Sequence, residues 1–201
     1  MSATRPSTAV ADQVVASVAG VPLRLSEVEA RVRSLRAGRM AAVLPAGSTA
    51  EGRNMRRWVV QLCAAERLVR TALAAAGRPE HPAGPAEGPA GSSPPRLTVD
   101  AALRVGGVAA AVLHAWPGAW ELVPLIAPSE AECRDYYERN QDLFPAGFEA
   151  ARAGIAAELA EQAGVTDFGR WLDRQLAEEV QLAPGFEHPA EPGHPDSTHR
   201  H

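Results

Sequence analysis

Apolar and polar positions alternate over a short stretch near the start of the chain, and a helical spacing of apolar positions follows it. Residues 14–25, VVASVAGVPLRL, have apolar positions on both sides of an Ala-Gly pair, which is typical of a hairpin with a tight turn. The following SEVE has the spacing of a capping box, with Ser26 as N-cap and Glu29 as its partner. It predicts a helix over residues 27–37.

A second helical pattern follows a mixed stretch at 38–52, whose Pro, Gly and Ser predict a loop. Apolar positions then recur every three or four residues and predict a long amphipathic helix that ends near Gly77. We expect Trp58, the first of them, to anchor the core. These positions are Trp58, Leu62, Ala65, Val69 and Leu73. Residues 79–96 are dominated by Pro, Gly, Ala and Ser and predict a mobile linker.

The second half of the chain also has mainly helical patterns. Residues 97–116 have a helical spacing of apolar positions, and the VPLIAP that follows them predicts a short extended run or strand. Ser129 and Glu132 form a second capping-box pattern. This box predicts a helix that Pro145 closes.

Two more apolar stripes predict the last helices, with Thr166 as the N-cap of the second and with regular structure ending near Leu182. The chain is therefore predicted to be mainly α, with a short N-terminal β-hairpin and an extended C-terminal tail. The predicted organisation is a disordered N-terminus at 1–13, a hairpin and helices at 14–78, a linker at 79–96, C-terminal helices that pack on the first half at 97–182, and a His-rich tail at 183–201.

Composition narrows the chemistry. All twenty basic residues are arginine, because the sequence contains no lysine. Together with the richness in Ala, Gly and Pro, this is typical of a GC-rich genome such as that of an actinobacterium. Without lysine there is no Schiff-base nucleophile and no P-loop lysine. The net charge of −4 argues against nucleic acid as a partner. The basic run Arg53, Arg56 and Arg57 is expected to be a solvated first turn of a helix.

The cysteines and the apolar runs bear on the compartment. Cys63 and Cys133 lack CxxC spacing and are expected to be buried or half-buried thiols rather than a disulfide. The first 13 residues lack the apolar run of a secretory signal, and no stretch approaches the roughly 18 apolar residues of a membrane span. These patterns predict a cytoplasmic protein without a membrane partner.

Three stretches resemble a known family. The opening VVASVAGVPLRLSEVEARVRSLR is similar to the pattern V-A-x-V-N-G-x-x-I-x-x-S-E-V that begins foldases of the SurA and PrsA kind. SEAECRDYYERNQDLF resembles the helix that reaches a Y-Y-x-x-N-x-x-x-F motif just before their isomerase domain. FEAARAGIAAELAEQAGVTDFGRWLDRQLAEEVQL resembles the helices that return after that domain and end in a short closing strand.

The resemblance implies a SurA-like helical, peptide-binding domain. Between Phe144 and Phe148 there is no room for a parvulin isomerase domain of about a hundred residues, so no isomerase site is carried over. It implies a binding or chaperone-like protein whose partner is a peptide, a partner protein or a small metabolite, and pairing into a homodimer is a further expectation. The residues expected to line its binding cleft are Trp58, Trp116, Trp120, Tyr136 and Tyr137.

The tail has the composition of a metal site. Four of the six histidines lie in the last eighteen residues. His199 and His201 are two apart, so in an extended segment both imidazoles point to the same side and suit a first-row metal ion. The tail therefore predicts a divalent site for Fe or Zn, against the alternative of a solvated tail or docking strand. The candidate ligands are His188, His194, His199, His201, Glu187 and Asp196.

Two functional hypotheses follow. The first is a cytoplasmic SurA-like binding or chaperone-like protein with a divalent-metal site in its tail. The alternative is a small metal-dependent enzyme, using non-haem Fe or Zn, in an actinobacterial metabolite pathway. The sequence has no GxSxG elbow, and it leaves open whether the protein is catalytic.

Overall fold

The computed structural model is mainly helical with one small sheet, as the sequence predicts, and it describes residues 13–38, 41–78, 106–124 and 126–188. The strands are β1 (Val14–Val18), β2 (Val21–Arg24) and β3 (Val180–Leu182). The α-helices of the described part are α1 (Leu25–Ala37), α2 (Ala50–Ala75), α3 (Gly107–Ala115), α4 (Glu130–Arg139) and α5 (Phe148–Glu179). The chain divides into a first unit, Met1–Thr71 with Arg174–His201, and a second unit, Ala72–Asp173.

The sheet of the first unit joins both ends of the described chain. Its strand order is β2-β1-β3, and both pairings are antiparallel. The predicted hairpin is confirmed, with Ala19 at φ 48° and Gly20 at φ 76° in a two-residue turn between β1 and β2. Positive φ at both turn positions matches the right-handed twist of the strands. Among the described residues, regular structure ends at Leu182 as predicted, and this residue pairs with Ala16.

Helix α1 begins two residues earlier than the sequence predicts. The backbone N–H of Leu25 donates to the carbonyl of Gln13 at 2.8 Å, so the helix starts directly at the end of the sheet. The backbone N–H of Arg24 donates to Oε1 of Glu27 at 2.9 Å. The predicted box of Ser26 with Glu29 is therefore wrong, because the nonlocal pairing with Gln13 fixes where the helix begins.

Helix α2 begins inside the stretch that predicts a loop. Thr49 caps it, since its Oγ1 accepts from the N–H of Gly52 at 3.1 Å and donates to the carbonyl of Ala46 at 3.0 Å. The helix ends as predicted, with Gly77 at φ 67° and the N–H of Arg78 donating to the carbonyl of Leu73 at 2.9 Å.

The core of the first unit lies between the sheet and helices α1 and α2. One cluster joins the sheet to both helices, and Trp58 packs against it as predicted, half-buried. A second cluster joins β1 to the next turns of α2. The buried members of the first cluster are Val15, Ala16, Leu23, Val28, Val32, Val59 and Val60. The buried members of the second are Val18, Ala64 and Leu68, with Leu176 and Val180 packed against them.

In the second unit the predicted capping box of α4 is confirmed. The N–H of Ser129 donates to Oε2 of Glu132 at 2.8 Å, and the N–H of Glu132 donates to Oγ of Ser129 at 3.3 Å. The sequence predicts that Pro145 closes this helix, and this prediction is wrong. The helix ends at Arg139, where the Asn140 side chain donates to the backbone carbonyl of Tyr136 at 2.8 Å.

The last two predicted helices are one helix, α5. The sequence predicts Thr166 as an N-cap, and this prediction is wrong. The Thr166 hydroxyl donates to the carbonyl of Gln162, one turn back, at 3.0 Å. A threonine satisfied in this way can stay inside a helix. The VPLIAP stretch forms no strand in its described residues, and the predicted helix of 97–116 is described only from Gly106 onwards.

Candidate functional site

The predicted metal ligands lie mostly outside the described residues. Glu187 accepts the backbone N–H of Gly185 on its Oε1 at 2.9 Å, and His188 is exposed. The described residues contain no group of three or more His, Cys, Asp and Glu side chains that could hold a metal ion. The candidate ligands outside the described residues are His194, Asp196, His199 and His201. The metal site stays a prediction.

The aromatic residues predicted to line a cleft belong to different units. Trp58 lies on α2 in the first unit, and the other four lie in the second unit. Trp116 is buried at the end of α3, and Trp120 is half-buried in the short 3₁₀ helix that follows. Tyr136 and Tyr137 are half-buried on α4. The cleft stays a prediction.

The two tyrosines of α4 belong to an aromatic cluster with Phe144 and Phe148. Ring centroids are 6.3 Å apart for Tyr136 and Phe144, 6.0 Å for Tyr137 and Phe144, and 5.6 Å for Tyr137 and Phe148. The guanidinium carbon of Arg134 lies 4.4 Å from the centre of the Phe148 ring. The Y-Y-x-x-N-x-x-x-F pattern thus has a packing role in this chain.

Hydrogen bonds fix the protonation of two groups near this cluster. The hydroxyl of Tyr136 donates to Oε1 of Glu158 at 2.8 Å, and this bond, followed by burial, raises the pKa of Tyr136. The hydrogen bonds that Glu132 accepts from the side chain and then the backbone of Ser129 lower the pKa of Glu132. At neutral pH the tyrosine is therefore a hydrogen-bond donor and the glutamate an acceptor.

Helices α1 and α2 are joined by ion pairs. Nη2 of Arg31 lies 2.9 Å from Oε1 of Glu66, and Nη2 of Arg67 lies 2.6 Å from Oε2 of Glu27. Cys63, a free and half-buried thiol, lies close to these charges. Burial, followed by the negative charge of Glu66, raises its pKa to about 11. This environment suits a protonated thiol in a structural role rather than a nucleophile.

We expect the Cys63 thiol to react slowly in the folded protein. At pH 8 a thiol with a pKa of about 11 has about 100-fold less thiolate than one with the ordinary pKa of 9.0. The rate of alkylation by iodoacetamide, measured in a Cys133→Ala background, should still rise with pH at pH 9. A native rate that levels off below pH 9 would contradict the assignment.

The raised pKa of Cys63 also makes the stability of the fold depend on pH. Because the pKa of Cys63 in the folded protein lies above its ordinary value of 9.0, the stability that this thiol contributes is present below about pH 9 and is lost as the pH rises towards about 11. A Cys63→Ala variant should lose less stability than the parent over that interval, measured by urea unfolding.

Two buried polar side chains lie one turn apart on α2. Arg57 is 2% exposed and Gln61 is 6% exposed. Nη2 of Arg57 donates to Oδ1 of Asn54. Nε and Nη1 of Arg57 and Nε2 of Gln61 are buried and donate to no atom of the described chain. We call these two residues the Arg57–Gln61 pair.

The burial of Arg57 contradicts the expectation of a solvated basic turn. Residues 57, 61, 64 and 68 share one helical face, and Ala64 and Leu68 on that face are buried against β1 and β3. That spacing is visible in the sequence and places the guanidinium on a core face. The run of basic residues alone predicts a solvated turn. The Arg57–Gln61 pair is therefore missed unless the helical spacing of residues 57, 61, 64 and 68 is also considered.

The comparisons with known proteins cover only the start of the chain. A family of unknown function, DUF7158, matches residues 14–51, which comprise the hairpin, α1 and the beginning of α2. No curated protein and no solved structure matches the chain. Within the described residues, no helix is both long and apolar enough to cross a membrane.

Proposed function

We propose that this chain is a SurA-like binding protein with a chaperone-like role, which holds an extended segment of a client or partner polypeptide. The observation that carries the proposal is the pairing of β3 with β1, with Ser17 opposite Gln181. The resemblance implies a short closing strand after the last helix, and the presence of β3 directly after α5 supports it.

The aromatic cluster of the second unit adds support. The α4 motif that resembles the foldase pattern folds as one packed unit, in which Phe144 contacts both tyrosine rings. Half-buried aromatic rings offer a polypeptide both an apolar face and a polar edge. Trp120 is half-buried in the same unit, so we include it in the proposed binding surface.

Titration of the full-length protein into a panel of fluorescently labelled, extended peptides tests the proposal. We expect saturable anisotropy changes for peptides rich in apolar residues. Trp120→Ala should weaken binding by about tenfold or more, because aromatic anchors carry a large share of binding energy. His114→Ala, at an exposed position in the same unit, is the control and should bind as the parent does. Absence of saturable binding across the panel would overturn the proposal.

A second proposal concerns the tail, where four of the six histidines are concentrated. We propose that it binds a divalent metal ion, Zn or Fe, through two or three imidazoles and a carboxylate. Elemental analysis of untagged protein should find about one metal ion per chain, and the double variant His199→Ala with His201→Ala should lose it. Metal content that does not fall in this variant would end the proposal, and with it the alternative of a metal-dependent enzyme.

The cytoplasmic location also stays a prediction. Fractionation of cells that express the full-length gene, followed by immunodetection in the cytoplasmic, membrane and extracytoplasmic fractions, tests it directly.

A further inference from the structure

A guanidinium inside a protein needs a counter-charge. Arginine keeps its proton under all ordinary conditions, so Arg57 cannot avoid the cost of burial by becoming neutral. Its hydrogen bond to the neutral amide oxygen of Asn54, the one found within the described residues, supplies an acceptor but no negative charge. An unpaired buried charge is strongly destabilising, and buried charges in native proteins are ordinarily paired.

Three of the four carboxylates of α1 and α2 pair with other arginines. Arg31 pairs with Glu66, and Arg67 pairs with Glu27. The neighbour of Arg57 in sequence, Arg56, has its Nε 2.7 Å from Oε1 of Glu29. In the part of the chain that the structure describes, no ion pair of Arg57 accompanies these three.

Gln61 adds a further buried hydrogen-bond donor beside the charge of Arg57. Residues four apart on a helix are neighbours, so the Nε2 of Gln61 lies on the same face as the guanidinium. Nε and Nη1 of Arg57 together with Nε2 of Gln61 give three buried nitrogens that lack acceptors in the described chain. One single-charged group with two acceptor oxygens would satisfy most of them and neutralise the arginine.

We propose that the Arg57–Gln61 pair is a binding site for a carboxylate group. A guanidinium binds a carboxylate through two parallel N–H donors, and either edge of Arg57 offers an unused nitrogen beside Nη2. Near-complete burial strengthens such a bond, because water does not compete with it. A carboxylate matches the single charge of Arg57, whereas a phosphate would bring excess negative charge into the core.

The carboxylate has two candidate sources. It comes from a ligand, such as the terminus or an acidic side chain of a bound polypeptide, or from the acidic residues of the chain's own tail, Glu191 and Asp196. The site is the same in both cases, and it does not depend on the proposed peptide-binding function. A failed peptide titration would leave the following test unaffected.

The test compares thermal unfolding of the full-length protein in sodium acetate and in sodium chloride at equal ionic strength. Acetate is the smallest carboxylate probe. We expect it to raise the midpoint of the parent by about 3 °C when it is present well above its dissociation constant. Arg57→Met should abolish this difference, and in chloride it should unfold at a temperature equal to or above that of the parent. Arg70→Met, at an exposed position on the same helix, should keep the acetate effect.

Three outcomes separate the possibilities. An acetate effect that survives in Arg57→Met, or that is absent from the parent and from a variant with Glu191→Gln and Asp196→Asn, overturns the site. An effect that appears or grows only in the Glu191→Gln, Asp196→Asn variant supports the site with the tail as its occupant. If Arg57→Met does not fold, Gln61→Leu replaces it and should lose at least half of the acetate effect.

Discussion

Gly52→Ala should destabilise the protein by about 3 kcal/mol or more, although the same change in an ordinary helix stabilises it. A Cβ at Gly52 would lie 2.0 Å from the carbonyl oxygen and 2.8 Å from the carbonyl carbon of Ala46. These are backbone atoms, so the loop before α2 would have to move. Its movement would break the bonds by which Thr49 caps the helix, at Ala46 and at Gly52 itself.

A matched control lies in the second turn of α5. A Cβ at Gly154 meets nothing within 4 Å, so Gly154→Ala should gain about 1 kcal/mol from helix propensity alone. Urea unfolding followed by circular dichroism measures both variants. If Gly52→Ala proves as stable as Gly154→Ala, the close approach of Ala46 to α2 is wrong.

The loop contact also matters for the carboxylate site. Gly52 and Arg57 lie little more than one turn apart on α2, and Asn54, which accepts from Arg57, lies between them. A displaced helix start would therefore move the acceptor of the buried guanidinium. The packing of Ala46 against Gly52 fixes the part of α2 on which the proposed site is built.

Sequence reasoning succeeds where an element depends on its own residues. The Ala19-Gly20 turn follows from the two-residue gap between apolar runs. The box of Ser129 with Glu132 needs only a four-residue window and an exposed helix start. The mainly helical class follows from the long apolar stripes, because a repeat every three or four residues over twenty positions fits no strand.

The errors occur where a contact outside the residues of the motif decides the outcome. The pairing of Leu25 with Gln13 moves the start of α1, which the SEVE letters alone cannot reveal. Thr166 looks like an N-cap because it precedes an apolar stripe, yet the helix is already formed on its N-terminal side and Gln162 accepts its hydroxyl. In each case a contact supplied by existing structure outweighs the local preference.

The two candidate sites differ in how far the sequence alone reveals them. A cluster of histidines is a compositional signal, and it predicts a ligand set without predicting a geometry. The Arg57–Gln61 pair has no compositional signal, since one arginine in a basic run is unremarkable. Only the burial of its helical face distinguishes Arg57 from Arg53, which is exposed.

Phe168→Ala should cost about 3 to 5 kcal/mol, which for a chain of this size lowers the midpoint of thermal unfolding by about 10 °C. Phe168 is fully buried on α5, where its ring centroid lies 5.6 Å from that of Trp171. Leu172, one turn further on, is 1% exposed, so the cavity would form on a buried, apolar face with no polar partners for a water molecule. Removal of the ring would leave a void that packed neighbours cannot fully close.

Two further variants separate the cavity from the loss of an apolar side chain as such. Phe168→Leu keeps most of the volume and should cost about 1 to 2 kcal/mol. Leu143→Ala removes an apolar side chain that is 68% exposed and should change stability by less than about 0.5 kcal/mol. Circular dichroism and tryptophan fluorescence, to which Trp171 contributes, should both follow the transition. If Phe168→Ala costs no more than Leu143→Ala, then α5 does not bury the face that contains Phe168, and the description of α5 as a single long helix with that face in the core is wrong.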